Sequence, residues 1–430
     1  MRLFNIGIKV NNYRSSLKIL LSAYACEPHK GSEAGVGWHW AVELSRLRHE
    51  VWVITRANNR TAIDAELAHN PHPNLHFIYY DLPDWAKSWK KGGRGIHLYY
   101  LLWQWGAYKV AHGLTQKVRF DWVHHITFGV FRHPSFLAFL GVPFIFGPVG
   151  GGEAAPYALR KSFPLRGQFI DILRDIANKL AFVDPIARLA YKRASLILCK
   201  TSETLSCIPV KYHNKCRIQM EIGIDNSSYA KPISLLNPDN NEDFVRILFV
   251  GRLIYLKGLH LGLQAFAKLK RKVSKVTLTV IGSGSDERWL HRIAEHSGIK
   301  RYVEWVSWIP QKEVIKAYPL YNIFLFPSLH DSSGNVVLEA ILHGLPVVCL
   351  DLGGPGTIVN DTCGRVVKTA GKSEAQVIQD LADALITLCE DKELRKRCST
   401  GAKDRALDFQ WSHIVRSIYS NPSLNKQKNY

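Results

Sequence analysis

Phe244-Val-Arg-Ile-Leu-Phe-Val250-Gly251-Arg252-Leu-Ile-Tyr-Leu-Lys257-Gly258 decides the fold of this chain. A short, nearly unbroken apolar run ending in glycine predicts a strand buried on both faces, with a loop at its carboxyl end. The pattern then alternates. Helical spacing over 260–273 is followed by a strand over 276–281 and a helix over 286–297. Strands come next at 303–305, 323–326 and 346–350, and helices over 374–389 and 393–405 end the run. Strands alternating with helices predict a parallel, doubly wound sheet.

Immediately upstream the rhythm lapses. Residues 226–243 are rich in Asn, Ser, Pro and Asp and read as a linker. Before them the same alternation recurs, from Leu17-Lys-Ile-Leu-Leu-Ser-Ala23 through a helix over 37–47 to Glu50-Val-Trp-Val-Ile-Thr55. Further strands are expected at 76–80, 122–126, 143–146 and 196–199. The expected architecture is therefore α/β, with two Rossmann-like doubly wound domains at 1–225 and 244–410. Residues 421–430 read as a frayed tail.

Composition narrows the class. Of 430 residues, 47% are hydrophobic and 21% charged, with 31 Gly and 19 Pro, which excludes disordered and low-complexity chains. Eight cysteines without a C-x-x-C pair, several inside apolar runs, are expected as buried free thiols in a reducing compartment. The first residues lack a signal-peptide core, and the longest uncharged stretch is broken by Pro and Gly, so a cytoplasmic chain without a spanning helix is expected.

The 56 basic against 36 acidic residues leave +20, about +13 of it in residues 1–230, and this excess predicts an anionic partner. From Asp84 to Trp105, Lys87, Lys90, Lys91 and Arg94 alternate with aromatics, which suits the edge of an anionic bilayer as well as a solvated loop. No helix-turn-helix, zinc-finger or RNA-binding signature accompanies the charge, so nucleic acid is not the expected partner.

Two windows carry chemistry. In Pro327-Ser-Leu-His-Asp331-Ser-Ser-Gly334-Asn-Val-Val-Leu-Glu339, a strand end turns into a helix. The N–H groups of Gly334, Asn335 and Val336 would face a phosphate at the helix start. Asp331 sits at the helix mouth, and Glu339 two turns along could take a ribose diol. Taken singly, a helix N-cap acid and a helical glutamate are structural more often than not. In the first window, Arg252 and Lys257 place an Arg fork and a Lys point charge in one strand-to-helix loop, a way to hold a diphosphate without a metal. Alone, the two could be solvated loop cations.

Gly251-Arg252 with Lys257-Gly258, Val280-Ile-Gly282-Ser-Gly284, Val306-Ser-Trp308-Ile-Pro310, the window from Asp331 to Glu339, and Gly353-Gly354 come in one order and spacing. They resemble the retaining glycosyltransferases of family 4, the glycosyl transferases group 1, over most of 244–410. That family has the GT-B fold, two Rossmann-like domains facing across a cleft. Four N-terminal windows resemble a bacterial branch that builds polysaccharide: Ala25-Cys-Glu-Pro28, Gly31-Ser-Glu-Ala-Gly35-Val-Gly37-Trp38, His124-His-Ile-Thr-Phe128 and Gly147-Pro-Val-Gly-Gly-Gly-Glu153.

The resemblance implies roles. Arg252 and Lys257 would bind the donor diphosphate, helped by the backbone from Gly334 through Asn335 to Val336. Glu339 would hold the ribose, and Gly282 and Trp308 would belong to the donor site. Asp331 stands where most members have Glu and would contact the transferred sugar, one methylene shorter. Ser333 stands where an aromatic is common. Gly35 and Gly37, in the loop after the first strand, would let backbone approach the donor phosphates. Of the adjacent pair His124 and His125, one would contact the donor sugar, and His125 is favoured. Glu153 would touch donor or acceptor, or cap its loop. Residues 411–420 resemble the closing helix that returns to the first domain.

The implied reaction is metal-independent transfer from a nucleotide-diphosphate sugar to a saccharide or lipid-linked acceptor. Configuration would be retained and no cofactor beyond the donor is needed, with the chain at the inner face of the plasma membrane. No Asp-x-Asp signature and no cluster with metal-ligand spacing stands out. A GT-B epimerase or phosphorylase finds no supporting window. A catalytically inactive GT-B scaffold of a membrane assembly has only the Asp at 331 in its favour.

Overall fold

The computed structural model describes residues 16–83, 95–181, 184–224 and 244–419, with residues 96 and 97 as backbone only. The expected linker 226–243, the tail 421–430 and the basic run from Lys87 to Arg94 lie outside the described residues.

The first sheet is built from β1 (Lys18–Ser22), α1 (Ser32–Arg46), β2 (Glu50–Thr55), α2 (Arg60–His69), β3 (Leu75–Tyr79), α3 (Ile96–Thr115), β4 (Trp122–His125) and β5 (Phe144–Val149). It continues through α4 (Leu165–Ala181), α5 (Pro185–Arg193), β6 (Leu196–Cys199), α6 (Ser202–Ser206) and β7 (Cys216–Ile218). Its order is β3-β2-β1-β4-β5-β6-β7, every pairing parallel. Side chains alternate between two cores. Leu20, Val123, Phe144 and Phe146 pack on one face of the sheet. Ile19, Leu21 and Ile145 pack on the other, in a core continuous with that of the second domain.

The second sheet follows the same logic with β8 (Val245–Val250), α7 (Leu259–Lys272), β9 (Val276–Ile281), α8 (Glu287–His296), β10 (Val303–Val306), α9 (Gln311–Ala317) and β11 (Ile323–Phe326). After it come α10 (Asn335–Leu342), β12 (Val347–Leu350), α11 (Gly353–Ile358), β13 (Gly364–Val367), α12 (Glu374–Glu390) and α13 (Lys392–Leu407). The parallel order is β10-β9-β8-β11-β12-β13. Strand order reverses between β1 and β4 and again between β8 and β11. In open α/β sheets these switch points form the ligand crevice at the strands' carboxyl ends.

The last helix, α14 (Trp411–Tyr419), packs on α1 of the first domain. An isolated parallel bridge joins Ile224 to Gln410, and the Trp411 ring stacks on His39 at 4.9 Å between centroids. α1 begins at Ser32, five residues before the expected start at 37. The edge strands β7 and β13, three and four residues long, add to the expected set. An edge strand needs only one neighbour, so a short run suffices and leaves little periodicity to read. All eight cysteines are free, six of them buried and Cys207 and Cys216 half-buried.

Candidate active site in the interdomain cleft

The mouth of α10 is organised by Asp331. One carboxylate oxygen accepts the N–H of Ser333 at 3.1 Å and of Gly334 at 2.8 Å, and the other pairs with the Lys257 ammonium. Burial alone would raise this carboxyl, but Lys257 and the two backbone donors hold it below its ordinary value. Asp331 is therefore ionised, and it joins the loop after β8 to the loop after β11. Gly334 sits at φ +71°, and a Cβ there would meet Ile358 Cδ1 at 2.9 Å and Pro355 N at 3.2 Å. Only glycine fits this cap. Asn335 and Val336 then begin the helix, where N–H groups have no partner within it.

Glu339 faces the cleft from α10. Its oxygens accept Gln311 Nε2 at 2.6 Å and the Tyr318 hydroxyl at 2.9 Å. Burial raises its carboxyl above the usual range, against the two donors. Glu339 and Asn335 line a cavity of about 140 Å³ whose far wall is Gly31, Gly35 and His39 of the first domain. Ligand pockets commonly run to roughly 300–1,000 Å³, so this cavity is a small one. Arg252, in the loop after β8, is exposed, and no ion pair or side-chain hydrogen bond engages it among the described residues.

Several expected residues sit elsewhere. Gly35 and Gly37 are not in a loop but in the first turns of α1, because the helix starts early. A Cβ on Gly35 would lie 2.1 Å from the carbonyl of Lys30, and one on Gly37 2.1 Å from that of Ala25. These glycines let the helix press against its own incoming loop. Gly35 also lines the cavity. Gly282 is likewise a packing glycine, its Cβ position 2.0 Å from the Gly251 carbonyl. Trp308 is 71% exposed and does not line the cavity; Gln311, three residues on, reaches Glu339 instead.

Both histidines are buried and fully bonded. His124 Nε2 donates to the Gly147 carbonyl at 2.6 Å, so its Nδ1 is the acceptor for the Tyr419 hydroxyl, also at 2.6 Å. His125 pairs with the Tyr100 hydroxyl at 2.9 Å and the Ser135 hydroxyl at 2.9 Å. Burial pushes their imidazoles down to about 3 and about 4, so both are neutral. Neither offers a free ring nitrogen to the cleft. Glu153, also buried, accepts the Gly151 N–H at 2.9 Å and the hydroxyls of Thr201 and Thr204 at 2.8 Å each, which is the loop-cap arrangement.

Lys200 escaped the sequence reading. It follows β6 and lies buried, 2.6 Å from Glu221 and 3.7 Å from Glu33. Burial would strip its proton, but the two carboxylates keep it charged. Glu221 also accepts the Ser333 hydroxyl at 2.5 Å across the domain boundary, so this cluster meets the Asp331 turn. A lysine ending an otherwise apolar buried strand was the available signal, since that is where ligands bind in such sheets. Nothing local marks Glu221. Among the described residues no group of three metal-ligating side chains occurs, and no helix is long and apolar enough to cross a membrane.

Two doubly wound parallel domains closing on one crevice define a GT-B protein. Within it, residues 237–405 match the family described as glycosyl transferases group 1. Over 179 residues the chain is 31% identical to the D-inositol 3-phosphate glycosyltransferase of Corynebacterium aurimucosum, covering 40% of this chain and 41% of that one. The chain thus spans about two fifths of the length of such curated relatives. Across nearly its whole length its fold is similar to Anabaena HepE in complex with UDP and glucose, with TM-score 0.58 at 17% identity, covering 95% and 99% of the two chains. It is similar too to WaaG, a glycosyltransferase involved in lipopolysaccharide biosynthesis, with TM-score 0.56 at 16% identity, covering 96% and 100%.

Proposed function

We propose that this chain transfers a sugar from a nucleoside diphosphate sugar to a hydroxyl of a saccharide acceptor, one carried on a lipid, in surface polysaccharide synthesis. The observation that carries the reading is the grouping of Arg252, Lys257, Asp331, the start of α10 and Glu339 at one switch point. Of these, Asn335 at the start of α10 and Glu339 line the cavity of about 140 Å³ shared with the first domain, and Lys257 is tied to the same turn through Asp331.

In this reading the donor's ribose replaces Gln311 and Tyr318 as the partner of Glu339. Its diphosphate meets Arg252, Lys257 and the N–H groups of Asn335 and Val336. The bond from the anomeric carbon to the diphosphate oxygen breaks as the acceptor hydroxyl bonds to that carbon on the same face, which retains configuration. The electron pair leaves with the diphosphate, where the two cations stabilise it, and the departing phosphate takes the acceptor proton. No metal is used. Asp331 keeps Lys257 oriented and turns toward the sugar once the phosphates share that ammonium. His125 stiffens the wall behind the sugar through Tyr100. The UDP bound by Anabaena HepE favours a uridine donor.

A scaffold without activity is the second reading, favoured by one observation: Asp331 already spends its oxygens on Lys257 and two backbone donors. Thermal shift of the full chain with UDP, GDP, ADP and CMP, with and without EDTA, separates the two. Stabilisation by one diphosphate, indifferent to EDTA and lost in Arg252→Ala, is expected. No shift with any of them would sink the transferase reading.

A further inference from the structure

α4 is inside out. Its Gly167, Asp171 and Asn178 face inward, while Leu165, Phe169, Ile172, Leu173, Ile176 and Leu180 are between 49% and 84% exposed. Their spacing places all six on one side of the helix. The polar side is what holds the helix in place. Asp171 accepts Arg174 at 2.5 Å and the Tyr255 hydroxyl of the second domain at 3.1 Å. Arg160 binds Asp175 at 2.5 Å, and Arg132 binds Asn178. Rotating the stripe inward would break this network, so the apolar face is fixed toward the outside.

A stripe this long is not left in water by an isolated soluble domain. Its surroundings say what covers it. On α4 the exposed charges are Arg166 and Lys179. On α5, where Ile186 and Leu189 are also exposed, they are Arg188, Lys192 and Arg193. No carboxylate of either helix is among the exposed positions, since Asp171 is buried and Asp175 and Asp184 are half-buried. A second copy docking here would set these five cations against the same five, a like-charge contact that disfavours pairing. An anionic lipid surface offers acyl chains to the stripe and an attractive charge to this basic face.

We infer that α4 is the membrane-docking face of this protein, lying in the plane of an anionic bilayer with its apolar stripe among the acyl chains and Arg166 and Lys179 at the phosphates. The inference deepens the membrane side of the reading above and does not depend on the sugar chemistry. Because Asp171 holds Tyr255, two residues from Lys257, the docked helix lies directly behind the donor loop.

Flotation of the full chain with vesicles of phosphatidylglycerol and phosphatidylethanolamine, against phosphatidylcholine alone, tests it. Wild type is expected to float with the anionic vesicles only. The triple variant Phe169→Ser, Ile172→Ser, Ile176→Ser is expected to lose about tenfold or more in binding, with Tm and nucleotide shift unchanged. Should that variant unfold, Arg166→Glu with Lys179→Glu is the second test, expected to abolish the preference for anionic lipid. Wild-type failure to float, variants that float like wild type, or a wild-type dimer in light scattering that the triple variant dissolves would each overturn the inference. Intact flotation without any nucleotide shift would sink the transferase reading and leave α4 standing.

Discussion

Arg252 and Lys257 look alike in sequence, two cations in one loop, yet the fold engages them differently. Arg252 is exposed and unengaged among the described residues, whereas Lys257 neutralises a largely buried Asp331. Arg252→Ala is therefore expected to leave stability within about 0.5 kcal/mol of wild type while abolishing the nucleotide shift. Lys257→Ala strands the carboxylate and is expected to cost roughly 1.5–3 kcal/mol in urea unfolding as well. Equal stability losses in the two variants would contradict this division of roles. Both residues and their spacing are visible in the sequence, but not the pairing, because Asp331 lies 74 positions away. Lys200 stays hidden for the same reason. Its partners Glu33 and Glu221 come from the first turn of α1 and the end of the first domain, and only the fold brings them together.

Among the elements, legibility follows burial and length. β6 is legible to its observed ends because four consecutive apolar residues are bounded by polar ones. α12 is legible to within a residue, and its start carries a capping box between Ser373 and Gln376. The start of α1 is not, because Gly35 and Gly37 suggest a loop until the carbonyls they press against are seen. α14 shows what an element reached from far away can do. Its Tyr419 hydroxyl satisfies His124 inside the first domain, 295 positions back. Tyr419→Phe leaves that nitrogen buried without a donor and is expected to cost about 1–3 kcal/mol by urea melt. The double variant Tyr419→Phe with His124→Phe should recover part of the loss, because both partners are then apolar. No recovery would mean that the helix is held by packing alone.

At the scale of the whole molecule the two domains meet through polar contacts on every side of the cleft. Ser333 meets Glu221, the Gly353 N–H donates to Glu203 at 2.7 Å, and Ser162 donates to Glu374 at 2.9 Å. Among the apolar contacts behind them, Phe163 of the first domain packs on Tyr255 at 4.8 Å between centroids and edge-on against His260 of α7 at 5.8 Å. Neither ring nitrogen of His260 has a hydrogen-bond partner, and burial pushes its imidazole down to about 3. Together with His124 and His125, it makes stability depend on pH with a definite sign. Unfolded imidazoles bind protons near pH 6.5 and these folded ones only near 3 to 4, so their contribution is complete above 6.5 and drains away as pH falls. By pH 5 each removes roughly 2 kcal/mol, and three together rival the whole stability of a typical domain. Glu339 and Glu221, both raised by burial, oppose the trend, and His330 and His72, both lowered by burial, add to it. Urea melts from pH 7.5 to 5 should therefore show a steep loss. His260→Phe should make the slope measurably shallower, because it removes one proton uptake and no hydrogen bond. A slope untouched by His260→Phe would mean that the interdomain contact opens before the chain unfolds, letting water reach the ring at little cost.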